Sequence, residues 1–300
     1  MHHSQYDVVF EGGGVKSVAL IGALERFARE GVEFDRVAGT SAGAITAAML
    51  AAGYTAAEMK EILWQTDFNE FANVSIFRKR KWRVVFSRHI FDLFSLFLGS
   101  TGYGVFSTDD FYEWVKDILV RKGVTDFLSA PRYLRVFAVD LFRQRLLRFD
   151  RDVTPHLEIA EAVRLSMSIP LFFKAKVSED ELIVDGGILA NYPIDTFVGK
   201  GNITSTLGFK LTSEEQTLPL STPANIFAYL MRIFETMQVA KERLHVKQAH
   251  WARTIPIPTG SISTIKFDLT EEDKQFLWES GYEAAQEAIR KGVLSEGGRR

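Results

Sequence analysis

The 300-residue chain has no cysteine, which excludes disulfides, a thiol nucleophile and thiolate-bound metal and is compatible with a reducing compartment. It also lacks any run of about 18 uninterrupted apolar residues. The N-terminal "MHHSQYDVVF" carries no extended apolar segment, so neither a spanning helix nor a secretion signal is expected. The expected setting is cytoplasmic, with peripheral contact to a membrane. Net charge is nearly absent too: 36 Lys and Arg stand against 38 Asp and Glu. That balance gives no overall reason to expect nucleic acid as a partner. What the chain does have is a 46% hydrophobic composition, enough to bury a large core. No repeat, low-complexity tract or interdomain linker interrupts it, and a single domain over 1–300 is expected.

Hydrophobic periodicity places the elements. A strand over Tyr6 to Phe10 runs into "EGGGVKS", and Val15 to Glu30 reads as a helix stopped by Gly31. A short strand, Arg36 to Ala38, leads into "GTSAG" and an alanine-rich helix ending at Gly53. Thr55 and Glu58 form a capping-box pattern. Phe111, Trp114, Val115, Ile118 and Leu119 follow helical spacing behind the candidate N-caps Ser107 and Thr108. "YLRVFAVDLF" and "RLLRFD" read as a hairpin, "EIAEAVRLSM" as a helix and "ELIVDGG" as a strand ending in Asp185. Thr270 opens a final helix with Phe276, Leu277, Ala284, Ala285 and Ala288 toward the core. Alternating strands and helices predict an α/β protein with a mainly parallel sheet.

Glycine loops after strands bind anionic groups through exposed N–H groups. A P-loop is excluded, because Val15 and Phe10 stand where its glycines belong. A dinucleotide fingerprint is nearly met by Gly12, Gly14 and Ser17, with Glu33 or Asp35 as the acidic partner. The second motif points elsewhere. "GTSAG", Gly39 to Gly43, has the G-x-S-x-G spacing of a nucleophile elbow between a strand and a helix. An elbow strains the serine backbone and is expected to aim its Oγ into solvent at a helix N-terminus. Acyl transfer then needs a base and donors for an oxyanion. The N–H groups of Gly13 and Gly14 suit the latter, and Lys16 either attracts an anionic headgroup or lies along the surface. For the base, His156, His245 and His250 follow in the usual chain order but have the surroundings of surface or capping residues. Asp185 ends an apolar strand before two glycines, and in an open α/β sheet that end faces the functional crevice.

Four blocks in order, "EGGGVKS", "GTSAG", "AVRLSMSIPLFF" and "VDGGILANYPI", resemble the patatin-like phospholipase family over a motif core of about 6–210. The resemblance implies a three-layer α/β/α fold and lipid acyl hydrolysis by a Ser-Asp dyad, with no histidine, metal or cofactor. It implies Ser41 as nucleophile, Asp185 as general base and Gly12, Gly13 and Gly14 as the oxyanion loop. Lys16 occupies the family's Arg/Lys position, whereas Glu11 departs from the most familiar residue before the glycines. The "SMSIP" block, Ser166 to Pro170, matches the family without a chemical role that the sequence assigns. The implied substrate is a phospholipid or another acyl-ester lipid. The rival readings are a nucleotide-binding oxidoreductase and a catalytically silent lipid-binding protein.

One stretch within 75–100 stands apart. Arg78, Lys79, Arg80, Lys81, Arg83 and Arg88 are interleaved with Phe77, Trp82, Phe86, Phe91, Phe94 and Phe97. Cations beside bulky aromatics suit an anionic bilayer interface, so a lid or peripheral anchor is one expectation and a helix packed on the core the other. The remainder, 221–300, is expected to be helical.

Overall fold

The computed structural model describes residues 5–72, 104–197, 206–212 and 251–294, with isolated positions between 229 and 237. Strand β1 (Gln5–Phe10) is buried at every residue but its first, as befits a strand covered on both faces. Val8 and Phe10 enter the larger core, while Val9 packs with Ala38, Phe137, Tyr192, Ile194 and Phe197 on the other side. A 3-10 turn over Gly14–Ser17 leads into α1 (Val18–Arg29), and β2 (Glu33–Thr40) is longer than the expected Arg36 to Ala38. Its extra residues pair with β1 from Gln5 opposite Glu33 onward.

Helix α2 (Ala42–Ala51) is buried at all its positions, the environment of a helix apolar all round. The box at Thr55 caps α3 (Ala56–Gln65): Glu58 N–H donates to Thr55 Oγ1 at 3.2 Å and Thr55 N–H to Glu58 Oε2 at 2.8 Å. Ahead of α4 (Asp109–Arg121), Thr108 is the capping position, but it is the Ser107 hydroxyl that accepts from Asp109 N–H. The expected hairpin forms as β4 (Tyr133–Asp140) and β5 (Arg145–Asp150), and α5 (Ile159–Ser166) follows. Gly104–Phe106 (β3) and Leu171–Phe173 (β6) make a separate two-stranded sheet.

The main sheet has the order β10-β9-β1-β2-β4-β8-β7, with β7 (Lys176–Val177), β8 (Leu182–Asp185), β9 (Thr206–Thr212) and β10 (Thr254–Pro258). Pairings from β10 through β4 are parallel, and β8 runs antiparallel to β4 and β7. Flanked by helices, it is the three-layer α/β/α arrangement with a mainly parallel sheet. Strand β10 corrects the expectation that 221–300 is only helical. It lies at the sheet edge, where Pro256 and Pro258 are tolerated because one side needs no ladder donor.

The register places two strand ends together. Along β4, Arg36 to Thr40 of β2 pair with Tyr133 to Phe137, and Ile183 to Asp185 of β8 pair with Asp140 to Ala138. Strand β5 pairs with β4 across both stretches, so β2 and β8 share the opposite edge. They approach head to head: Thr40 is opposite Phe137 and Asp185 opposite the next residue, Ala138.

A short helix, α6 (Gly187–Ala190), follows β8, and the final helix, α7 (Glu271–Arg290), packs against α1 backbone to backbone. A Cβ on Gly22 would lie 1.9 Å from the Trp278 carbonyl oxygen, and one on Gly281 1.8 Å from that of Ala19. This contact sets the helix rotation. Leu277 and Ala285 are fully buried and Ala284 and Ala288 partly so, but Phe276, expected inside, is 45% exposed.

Candidate active site

At the end of β2 the chain turns sharply into α2. Ser41 has φ 53° and ψ −130°, a region that β-carbon sterics make costly outside glycine, by about 1–3 kcal/mol. The flanking glycines make the turn possible: a Cβ on Gly39 would sit 2.2 Å from the Gly43 carbonyl oxygen, and one on Gly43 2.5 Å from that of Glu11. Thr40 Oγ1 donates to the Ala190 carbonyl at 2.8 Å, and Ser41 N–H donates to Ser166 Oγ at 2.9 Å. Ser41 is only 5% exposed. Its hydroxyl therefore faces protein rather than solvent, contrary to expectation, because Asp185 stands in front of it.

Ser41 Oγ donates to Asp185 Oδ2 at 2.7 Å. Gly187 N–H donates to the other carboxylate oxygen at 2.6 Å, and the Asp185 N–H donates to the Ser168 carbonyl at 2.9 Å. Asp185 is 1% exposed. Burial raises its carboxyl to about 7, against the opposing pull of the Ser41 and Gly187 hydrogen bonds. Asp185 meets Ser41 for a reason different from the expected one. It ends a short antiparallel strand that stops beside the end of β2, and does not lie at the carboxyl edge of a parallel strand.

The glycine loop follows β1, the neighbour of β2. Gly12, expected with Gly13 and Gly14 in the oxyanion loop, does not offer its N–H there: it donates to the Asn191 carbonyl at 3.1 Å, and the Gly12 carbonyl accepts from Asn191 Nδ2 at 3.3 Å. Val15 N–H donates to the Thr264 carbonyl and Lys16 N–H to that of Gly13. The N–H groups of Gly13 and Gly14 have no acceptor among the described residues. Glu11, the unfamiliar residue before the loop, is buried and organises it. Its Oε1 accepts from Lys210 Nζ at 2.8 Å and from Asn191 Nδ2 at 3.3 Å, and its Oε2 accepts from Leu211 N–H at 2.5 Å. Breaking such a buried ion pair costs about 3–5 kcal/mol.

The dinucleotide reading fails on geometry. Spaces where Cβ atoms would project at Gly13 and Gly14 are filled by the Leu211 side chain and the Thr264 carbonyl. Glu33 and Asp35 lie at the start of β2, the end opposite the glycine loop. His156 is a surface residue, its side chain 81% exposed beside Asp126. Lys16 is half-buried on the 3-10 turn. His245, His250 and the basic-aromatic residues Arg78, Lys79, Arg80, Lys81, Trp82 and Phe86 lie outside the described residues. No described helix is long and apolar enough to cross a membrane. Sequence reasoning missed Ser166, Ser168, Asn191 and Lys210 as partners of the site; the first three sit inside quoted motif blocks, but no spacing rule links them to Ser41 or Gly12.

The family model for patatin-like phospholipases matches residues 8–198. The chain is 32% identical over 290 residues to the uncharacterized protein YqhO of Bacillus subtilis strain 168, covering 92% of this chain and 94% of that one. It is 24% identical over 197 residues to the probable lipid hydrolase 463L of invertebrate iridescent virus 6, covering 63% and 61%. Among solved structures, VipD from Legionella pneumophila superposes with a TM-score of 0.59 at 18% identity, over 97% of this chain and 67% of that one. A match of family model and near full-length relative, on the fold and motif order described above, places the protein: the chain belongs to the patatin-like phospholipase family.

Proposed function

We propose that the protein is a serine lipid acyl hydrolase of the phospholipase A type, working through Ser41, Asp185 and the glycine loop. The observation that carries this reading is the 2.7 Å hydrogen bond from Ser41 Oγ to the buried Asp185 carboxylate. In water an aspartate of pKa about 3.9 is a poor base for a serine hydroxyl. Burial raises Asp185 to about 7, where a general base works best near neutral pH. Asp185 takes the Ser41 proton as Oγ attacks the ester carbonyl of a fatty-acyl chain. The oxyanion receives hydrogen bonds from Gly13 and Gly14 N–H, donors whose individual loss costs about 10²–10³ in rate at comparable sites.

The tetrahedral intermediate collapses to an ester on Ser41, and the lyso-lipid leaves with the proton held by Asp185. Water, deprotonated by the same carboxylate, then attacks the ester; Ser41 Oγ leaves with that proton from Asp185 and the fatty acid is released. Lys16, on the first turn after the loop, is assigned to the anionic headgroup. The relatives support a lipid substrate: the family is one of phospholipases and 463L is a probable lipid hydrolase. Fatty-acid release from mixed phospholipid vesicles tests the reading. Wild type is expected to release fatty acid, whereas Ser41→Ala and Asp185→Asn, each verified as folded, are not; equal release by all three overturns the assignment.

A further inference from the structure

The Ser166–Ser168 turn touches both members of the pair, by two different kinds of contact. Ser166, at the end of α5, is fully buried, and its hydroxyl accepts the Ser41 N–H across 125 positions of sequence. Ser168 reaches Asp185 through its backbone carbonyl. The Ser168 hydroxyl is occupied locally, donating to the Arg164 carbonyl at 2.9 Å, the common bond of a serine in or just after a helix. So one serine of the "SMSIP" block is needed for its side chain and the other only for its backbone.

Ser41 N–H is the donor at the strained position itself, φ 53° and ψ −130°. A strained conformation persists only where its surroundings over-determine it, and a buried donor without an acceptor is itself unfavourable. Resting on the Ser-Asp reading above, we propose that Ser166 is a positioning residue. Its hydroxyl anchors the Ser41 backbone while the same turn fixes Asp185, so the nucleophile and base are held in register by one rigid segment.

The test uses a neutral alkyl fluorophosphonate, which marks a reactive serine. Ser41 Oγ forms a bond to phosphorus, fluoride leaves and the serine proton passes to Asp185. Labelling rate per folded molecule and the labelled position, read by mass spectrometry, are compared for wild type, Ser166→Ala, Ser166→Cys and Ser168→Ala. Cysteine keeps the shape of serine with a slightly larger atom and offers only a weak acceptor, so it carries the test should alanine prevent folding. Because a displacement near 1 Å costs about 10²-fold at such a site, both Ser166 variants are expected to label roughly 10–100-fold more slowly. Ser168→Ala, which keeps the carbonyl that holds Asp185, is expected to slow labelling less than either Ser166 variant.

The pH profile distinguishes positioning from a merely structural role. Desolvation and the bonds from Ser41 and Gly187 are the causes that set the Asp185 carboxyl, with no charged side chain among them. Loosening Ser41 removes a bond that favours the charged form, so the acid limb of labelling moves to higher pH in the Ser166 variants. Wild-type rate and limb in those variants, or equal slowing by Ser166→Ala and Ser168→Ala, overturns the proposal. Absence of label on Ser41 in wild type instead overturns the nucleophile assignment itself.

Discussion

Two strand-to-helix turns stand side by side at the same end of the sheet, one after β1 and one after β2. Both contain a residue at positive φ, Gly14 at 55° and Ser41 at 53°. In the first turn a glycine takes that conformation with no side-chain penalty, and a Cβ there would lie 2.0 Å from the Thr264 carbonyl oxygen. In the second a side chain is retained in spite of the strain. The β1 turn is shaped to present backbone, and the β2 turn to present one hydroxyl. Strain kept at a residue that could have been glycine fits the proposed role of its side chain as nucleophile, and its hydroxyl lies 2.7 Å from the buried Asp185 carboxylate proposed as its base.

Breaking the second turn's chemistry has the largest expected effect. Ser41→Ala and Asp185→Asn should each lower fatty-acid release by about 10⁴-fold or more, as loss of a nucleophile or its base does elsewhere. Next comes the first turn. Gly14→Ala forces a side chain into the Thr264 carbonyl at unfavourable φ, so a loss of roughly 10²–10³ in turnover is expected from displaced donors, together with a lower unfolding midpoint. A Gly14→Ala protein with wild-type turnover would separate the glycine loop from the reaction.

A third prediction concerns pH. The folded Asp185 carboxyl is raised from 3.8 to about 7, so the folded state prefers the proton. Its favourable contribution is complete below the unfolded value and is lost as pH rises through the folded one. Asp185→Asn has no charge to bury. Its stability relative to wild type should therefore grow between about pH 4 and 7 and level off above, by roughly 2–4 kcal/mol. Denaturant unfolding at several pH values checks this; a pH-independent difference would mean that Asp185 is not held by desolvation.

The smallest effect sharpens the contrast between the turns. Ser41→Gly relieves the strain at φ 53°, at the expense of a more flexible unfolded chain, for a net gain of about 1 kcal/mol in stability with activity abolished. The Gly14→Ala change runs in the opposite direction in stability. Chemical denaturation of both variants reads the two signs, and destabilisation by Ser41→Gly would remove strain from the account.

Much of this was legible in the sequence, because it lies in local patterns. Strand β1, the helix ending before Gly31, the Thr55 capping box and the hairpin of β4 and β5 each carry their signal in adjacent residues. Ser41 stood out through the G-x-S-x-G spacing and Asp185 as the end of an apolar strand before two glycines, while the family resemblance tied both to the three glycines. What escaped was set by register. That Asp185 ends an antiparallel strand follows from where β8 lands on β4, which no local pattern states. Phe276 looked inward by periodicity, but the Gly22 and Gly281 contact rotates α7 and turns it out. Glu11 looked like a departure from a motif. Its purpose depends on Lys210, 199 positions away, beyond the reach of any spacing argument.

The most direct test of the central claim is to trap the acyl group. Wild type, mixed with a slowly turned-over acyl ester, is quenched at successive times over a range of pH and digested for mass spectrometry. The account predicts an acyl ester on Ser41 whose formation rises through an acid limb near 7, the value for Asp185. Hydrolysis with no acyl group on Ser41, or an adduct on another residue, would contradict it.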